Sequence, residues 1–453
     1  MLESWLATIA DTIWSYPVVG LCLLGALFFS VRLRLVQLRA IPHTLALLRG
    51  RYDRAHEQGQ LTHFQALSAA LSGTIGIGNI GGVAIAITTG GPGAVLWMWA
   101  FGVLAMATKF AECTLATRYR AIDPETGAAR GGPMYYITAA LGPRWRPLAA
   151  FYAATMALCA FGFACMFQSN QAALALAQGP GIPSWGTGLA LLGLGALTIM
   201  GGITRIGAVA ARLVPGMCLL YLGAALLICA LRLHQLDDVL WVIWQDGRSG
   251  DAMFGGALGS VIMAGVRRAV FSNEAGLGSA GIAHAAVKTD EPVREGLVAA
   301  LGPFIDTVVV SSATAFVIVL AQLDPAALTP GLKGIALTAA AFERDLPGFG
   351  AVVIPVVGFL FAFSTMVTWS FYGETGAAYL VGRRGVQPYR LVFVALAYVG
   401  ATQELGVVIS FSDAMVGLLV IPNMLALLLL SSEVASWTRD YFDRLARGEF
   451  ERS

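Results

Sequence analysis

Two glycine-rich segments hold the groups with which this chain could do chemistry. They are Ser72-Gly73-Thr74-Ile75-Gly76-Ile77-Gly78-Asn79-Ile80-Gly81-Gly82 and Ser272-Asn273-Glu274-Ala275-Gly276-Leu277-Gly278-Ser279-Ala280-Gly281. Glycine costs an uninterrupted helix about 1 kcal/mol per residue relative to alanine, so both clusters predict a local break. A break frees backbone N–H groups, and at the start of a half-helix these attract anions. Gly76 and Gly78 are therefore candidate ligand contacts in the first break, with Gly276 as their counterpart in the second. Asn79 places an amide inside the first break, where it needs partners that a polar ligand could supply. Gln168 is an uncharged amide in a long apolar stretch, and Ser364 and Thr365 are adjacent hydroxyls in another. Phe163, Phe167 and Trp369 are candidates for an apolar wall. Close helix packing through small residues is the competing reading of the glycines.

Ionisable groups inside apolar spans point to function. Glu274 lies within the second break, just after Arg267 and Arg268. Pairing Glu274 with Arg268 would leave no net buried charge, so a structural or gating role is expected for both. Asp306 and Glu374 are candidates for an inner gate or a proton route. Lys109 and Glu112 are three residues apart on one helical face and are expected to pair. His284 is expected at the edge of its span.

Several functions are excluded by the same inventory. Gly76-Ile77-Gly78-Asn79-Ile80-Gly81 matches GxGxxG, but no strand precedes it and no acid follows about twenty residues on, so a dinucleotide site fails. The chain has no HExxH, GxSxG or paired-aspartate GxGD motif, which argues against an intramembrane enzyme. The six cysteines show no metal-ligand spacing. A net charge of +2 argues against a nucleic-acid partner. A channel is disfavoured because channels build pores from repeated rings.

The elements that must position these groups are membrane helices. Of the 453 residues 57% are hydrophobic and 12% charged, and the mean hydropathy is +0.72. Soluble domains carry about 25% charged residues. Apolar stretches at 12–33, 62–90, 93–118, 148–177, 186–202, 208–231, 252–284, 296–322, 348–380, 389–403 and 405–431 predict eleven spans. With the N-terminus outside and the C-terminus cytoplasmic, 22 of the 29 basic residues fall in inside loops and the tail. Only Arg232, Arg248, Lys333 and Arg344 fall outside. That asymmetry fits the positive-inside rule for a multi-pass protein of a cell (inner) membrane. The expected organisation is an extra N-terminal helix and basic segment (1–61), a first repeat (62–231), a second repeat (252–431) and a cytoplasmic tail (432–453). The breaks fall in the first and sixth of the ten core spans, giving a five-plus-five arrangement of opposite orientation. Such inverted repeats place a carrier's binding site at the midplane, where the broken helices meet.

Ser72 to Gly82, followed by Gly90-Gly91-Pro92-Gly93-Ala94-Val95-Leu96-Trp97-Met98-Trp99, resembles the signature region of the alanine or glycine:cation symporter family. Phe271 to Ser279 is similar to a second block of that family, and Gln168-Ser169-Asn170 to a third. Ala269-Val270 departs from the pattern, where a glycine and a larger aliphatic residue are expected. The resemblance implies an all-α polytopic carrier with the LeuT-type inverted repeat. It implies symport of a small neutral amino acid, alanine or glycine, with sodium (Na+) as the coupling ion and no organic cofactor. Gly76, Gly78, Asn79, Phe163, Phe167, Gln168, Gly276 and Trp369 would then contact the substrate. Ser364 and Thr365, with carbonyls near Gly73 and Gly76, would hold sodium, and Trp369 lies about one turn further along. Proton coupling through Glu274 or Asp306 stays open as an alternative.

Overall fold

The structure, a computed structural model, describes the chain except residues 1, 15, 53–56, 123–126, 249–257, 325–330, 333, 404–405 and 451–453. Lys333 and the starts of the expected spans 252–284 and 405–431 lie outside the described residues. Apart from one short hairpin, Ala121–Ile122 against Ala129–Arg130, the described fold is built of helices. Seven helices are long and apolar enough to cross a membrane, and the bent pair His63–Thr74 and Gly78–Gly90 makes an eighth. These eight coincide with eight of the expected spans. Of the other three, Ser184–Ile199 has 16 residues and Val386–Thr402 has 17, both short for a straight crossing. The third is the second broken helix, interrupted between Asn273 and Ser279. The first apolar stretch begins earlier than expected, running over Thr8–Arg32.

Both predicted breaks are present, and each has a local cause. The first broken helix starts with a capping box, in which Thr62 and Gln65 exchange side-chain and backbone hydrogen bonds. It stops after Thr74, where Ile75 turns extended, and resumes through a wide turn at Gly78–Gly82, bent by 53°. The second breaks where Glu274 adopts a left-handed conformation (φ 57°), followed by Gly276 and Gly278 at φ 90° and 89°. Left-handed backbone costs an L side chain but not glycine, so the two glycines make this reversal affordable.

Around the breaks stand the helices that line them. Ile354–Val381 packs against the first broken helix and against Arg146–Cys159 and Phe167–Gln178. Ala94–Arg118 packs against the second broken helix and against Pro292–Ala299. The short helix Gly334–Asp345 covers the first break, where Thr338 Oγ1 donates to the Ile80 carbonyl at 2.9 Å.

Candidate functional site

The first break is held open by its own asparagine. Asn79 Oδ1 accepts from the Gly76 N–H at 3.0 Å. Asn79 Nδ2 donates to Ser272 Oγ at 2.9 Å and to Asp306 Oδ1 at 2.6 Å. Ser272 and Thr307 both donate to Asp306 Oδ2 at 2.8 Å. The amide that sequence reading left for a ligand is thus engaged with protein partners. Asp306, read as a gate or proton-route residue, sits where the two broken helices meet a third segment, Phe304–Val310.

Facing the same break, the helix Ile354–Val381 offers a row of hydroxyls in two different states. Ser364 Oγ bonds the Phe361 carbonyl at 2.9 Å and the Ser72 carbonyl at 3.2 Å, while Ser72 Oγ donates back to the Ser364 carbonyl at 2.9 Å. Ser364 therefore clasps the two helices. Thr365 Oγ1, Thr368 Oγ1, Tyr372 OH and Gln168 Oε1 are buried and have no hydrogen-bond partner among the described residues. Three of these oxygens face the glycines of the break, and Thr368 packs there through its methyl group. A Cβ on Gly76 would stand 2.7 Å from Thr365 Oγ1 and 3.6 Å from Gln168 Oε1. One on Gly73 would stand 3.2 Å from Thr368 Cγ2 and 3.3 Å from Tyr372 OH. By contrast, a Cβ on Gly78 would meet only Ser272 Cα, at 3.9 Å.

Phe163 and Trp369 form one side of this region, with ring centroids 5.0 Å apart, and Phe271 joins Phe163 at 4.9 Å. Trp369 also meets the Tyr372 ring at 5.5 Å. Phe167 is half-buried and makes none of these ring contacts.

Two expected ion pairs are not formed. Glu274 accepts from Ser279 Oγ at 2.5 Å and from the Trp369 indole N–H at 2.9 Å. Arg267 pairs with Asp413 at 3.1 Å, and the Arg268 guanidinium lies 5.6 Å from the centre of the Phe271 ring. The left-handed turn at Glu274 separates its carboxylate from the arginines six and seven residues earlier, and the carboxylate bonds Trp369 on the other helix. Likewise Glu112 does not pair with Lys109. Its carboxylate accepts from the N–H groups of Gly276 (3.3 Å), Gly278 (3.2 Å) and Gly281 (3.4 Å), so it caps the second break. Freed N–H groups at the start of a half-helix favour a carboxylate beside them. Lys109 Nζ is left without a hydrogen-bond partner among the described residues. Asn423 completes the cap, donating to the Gly276 carbonyl at 2.8 Å. Gly276 is thus held by Glu112 and Asn423.

At one end of the bundle the two broken helices are tied together. Lys288 N–H donates to the Leu61 carbonyl at 2.8 Å, and Gln60 and Leu61 N–H donate to the Ala286 carbonyl at 2.8 and 3.0 Å. Arg120 spans the tie, donating to the carbonyls of Gln58 (2.8 Å), Ala285 (3.1 Å), Val287 (2.5 Å) and Thr289 (2.7 Å). Burial pulls the Arg120 pKa below its ordinary value, and Asp290, Glu295 and Glu57 oppose that pull. Glu295 lies between two buried histidines, His63 at the start of the first broken helix and His284 at the end of the second. His284 ends its helix, as expected, and is buried against this carboxylate. Glu374, the other expected gate residue, pairs with Arg390 at 2.6 Å.

Sequence reading found one of the two unpaired threonines and missed Thr368 and Tyr372. Their signal was present: Thr365, Thr368 and Tyr372 follow the i, i+3, i+7 spacing of a single helical face. No comparable signal marks Glu112, whose N–H donors lie more than 160 residues away.

Paired broken helices in an apolar bundle, with unpaired buried polar groups converging where they meet, define the class of secondary membrane carriers. The chain belongs to the sodium:alanine symporter family, whose model matches residues 1–452. It is 40% identical over 436 residues to the sodium/alanine symporter AgcS of Methanococcus maripaludis, covering 96% of each chain. It is 35% identical to the probable sodium/glutamine symporter GlnT of Bacillus subtilis, over 97% of this chain and 91% of that one. Among solved structures, a Na+-coupled sialic acid symporter matches with a TM-score of 0.54 at 14% identity, covering 93% of this chain and 98% of the other. That likeness is one of fold. The protein is a transporter, not an enzyme.

Proposed function

We propose that this protein imports a small neutral amino acid, alanine or glycine, together with sodium by alternating access. One observation carries the reading: Gln168, Thr365 and Tyr372 bring unpaired buried oxygens to the glycines of the first break, and Thr368, whose hydroxyl is also unpaired, packs beside them. A buried polar group without a partner costs about 1–3 kcal/mol, so a cluster of four calls for a polar occupant. Even a Cβ on Gly76 would crowd Thr365 Oγ1, so little space remains there, which favours a compact substrate over one the size of glutamine. In this reading the Gln168 amide and N–H groups of the break other than that of Gly76, which Asn79 holds, bind the zwitterion, and Phe163 and Trp369 wall it.

Sodium is a hard cation that prefers oxygen ligands. Its hydroxyl ligands in this reading are Thr365 and Thr368, with carbonyls from Gly73 and Gly76, because the Ser364 hydroxyl is already used between helices. Glu274 and Arg268 act as scaffold or gate, each with its own partners. Asn79 and Gly276 support the site by fixing the two breaks. The reading takes the protein as an inner-membrane carrier with eleven spans, the N-terminus outside and the C-terminus cytoplasmic, and a five-plus-five LeuT-like inverted repeat. The tie between residues 58–63 and 285–295 is then the closed cytoplasmic gate. Proton coupling has one observation in its favour, the buried carboxylates of Glu274 and Asp306 beside the two breaks.

Uptake by proteoliposomes under separate sodium, proton and potassium gradients tests the reading. Alanine accumulation driven by sodium and unaffected by a protonophore is the expected result. Accumulation that follows the proton gradient would replace it with the proton-coupled reading.

A further inference from the structure

Arg32, Arg34, Arg39 and Arg439 line one cleft of about 350 Å³, together with Val31, Leu33, Ala435 and Thr438. It lies between the end of the first apolar span, Thr8–Arg32, and the C-terminal helix Ser431–Ala446. No carboxylate pairs with any of these four arginines among the described residues. Arg32 donates to Ser432 Oγ at 3.1 Å, and Arg39 stacks 4.8 Å from the Phe442 ring. Four like charges around one cleft repel each other unless an anion joins them. A guanidinium presents paired N–H groups that match phosphate oxygens.

The surroundings say which phosphate. Arg32 ends a membrane-crossing stretch, so the cleft lies at headgroup depth. Leu24, Leu27 and Val31 occupy one face of the same helix, at 67%, 48% and 68% exposure, and lead from the cleft toward the hydrocarbon. We propose that this cleft binds the phosphate headgroup of one anionic phospholipid, whose acyl chains lie along that apolar face. The lipid would join the first span to the C-terminal helix. That helix in turn holds the tie segment through Arg444 and Glu291, 2.7 Å apart. The inference needs only the membrane placement, so it stands or falls separately from the coupling ion.

The test uses the purified, delipidated full chain with dioleoyl-phosphatidylglycerol, dioleoyl-phosphatidylcholine or inorganic phosphate, read by native mass spectrometry and thermal unfolding. Retention of one phosphatidylglycerol with a raised Tm, and no such effect from phosphatidylcholine or phosphate, is the expected outcome. Each basic residue near a membrane surface contributes about fivefold to anionic-lipid binding, so the triple variant Arg34→Gln, Arg39→Gln, Arg439→Gln should bind about a hundredfold more weakly. Arg144→Gln, Arg146→Gln, Arg384→Gln removes as many exposed charges from other loops and should bind as the parent does. If the triple variant folds poorly, Arg34→Gln alone should show about a fivefold loss. Equal retention of both lipids, full stabilisation by phosphate alone, or undiminished phosphatidylglycerol binding by the arginine variants would overturn the proposal.

Discussion

Gln168, Thr365, Thr368 and Tyr372 differ from the other polar side chains around them in one respect. Ser72, Asn79, Ser272 and Ser364 all spend their bonding groups on protein, whereas these four each leave an oxygen unpaired. This predicts that Gln168→Ala folds and inserts normally yet weakens alanine binding by about 1–3 kcal/mol, measured by calorimetric titration. Unchanged affinity would remove the amide from the site. Arg268 and Glu274 give a second prediction, because each has its own partners. Arg268→Met and Glu274→Gln should change thermal stability additively, within about 0.5 kcal/mol, as independent sites do. Rescue of one by the other would reinstate the direct pair. That pair was a fair reading of adjacency in sequence; the left-handed turn at Glu274 that separates them is a conformation a glutamate seldom adopts, and nothing in its neighbours announces it. The threonine row was half legible, since Ser364 and Thr365 stand out as adjacent hydroxyls. Only the Ser72–Ser364 clasp shows which hydroxyl is already used.

The breaks are the elements on which the site depends, and they were the most legible feature of the chain. Clustered glycine in an otherwise apolar helix either packs helices closely or breaks them, and here both interruptions occur at the predicted places. The individual glycines, however, do different work. Gly76→Ala puts a methyl 2.7 Å from Thr365 Oγ1, inside the proposed binding space, and should reduce alanine uptake at least about tenfold with normal membrane expression. Gly78→Ala meets nothing closer than 3.9 Å in a right-handed turn and should retain most uptake. Equal damage from the two, measured as uptake per expressed protein, would favour a packing role for the glycines. The cap of the second break was hidden because Glu112 looks from sequence like an ordinary i, i+3 partner of Lys109. Its true acceptor role depends on three N–H groups that only the folded break brings within reach.

Across the whole molecule, the chain's apolar composition and its basic loops made the membrane class plain, and eight of eleven expected spans meet a simple length and apolarity test. The remaining three are short or interrupted, so their crossing depends on neighbours more than on their own hydropathy. The tie at one end was not legible, because it is made mostly of backbone carbonyls that converge on Arg120. Arg120→Ala removes four of these bonds, and hydrogen exchange in residues 58–63 and 285–289 should quicken while the helices lining the site stay protected. Uniform quickening through the bundle would mean that the tie stabilises the fold and does not gate it. The central claim is that the unpaired oxygens at the first break hold amino acid and sodium together, which makes their binding free energies reciprocal. Alanine titrated into the purified protein at equal ionic strength, in sodium and then in potassium, measures that coupling directly. The account predicts affinity at least about tenfold higher in sodium, a coupling of about 1.4 kcal/mol or more, within the 1–3 kcal/mol typical between linked sites. The same affinity in both salts would contradict it.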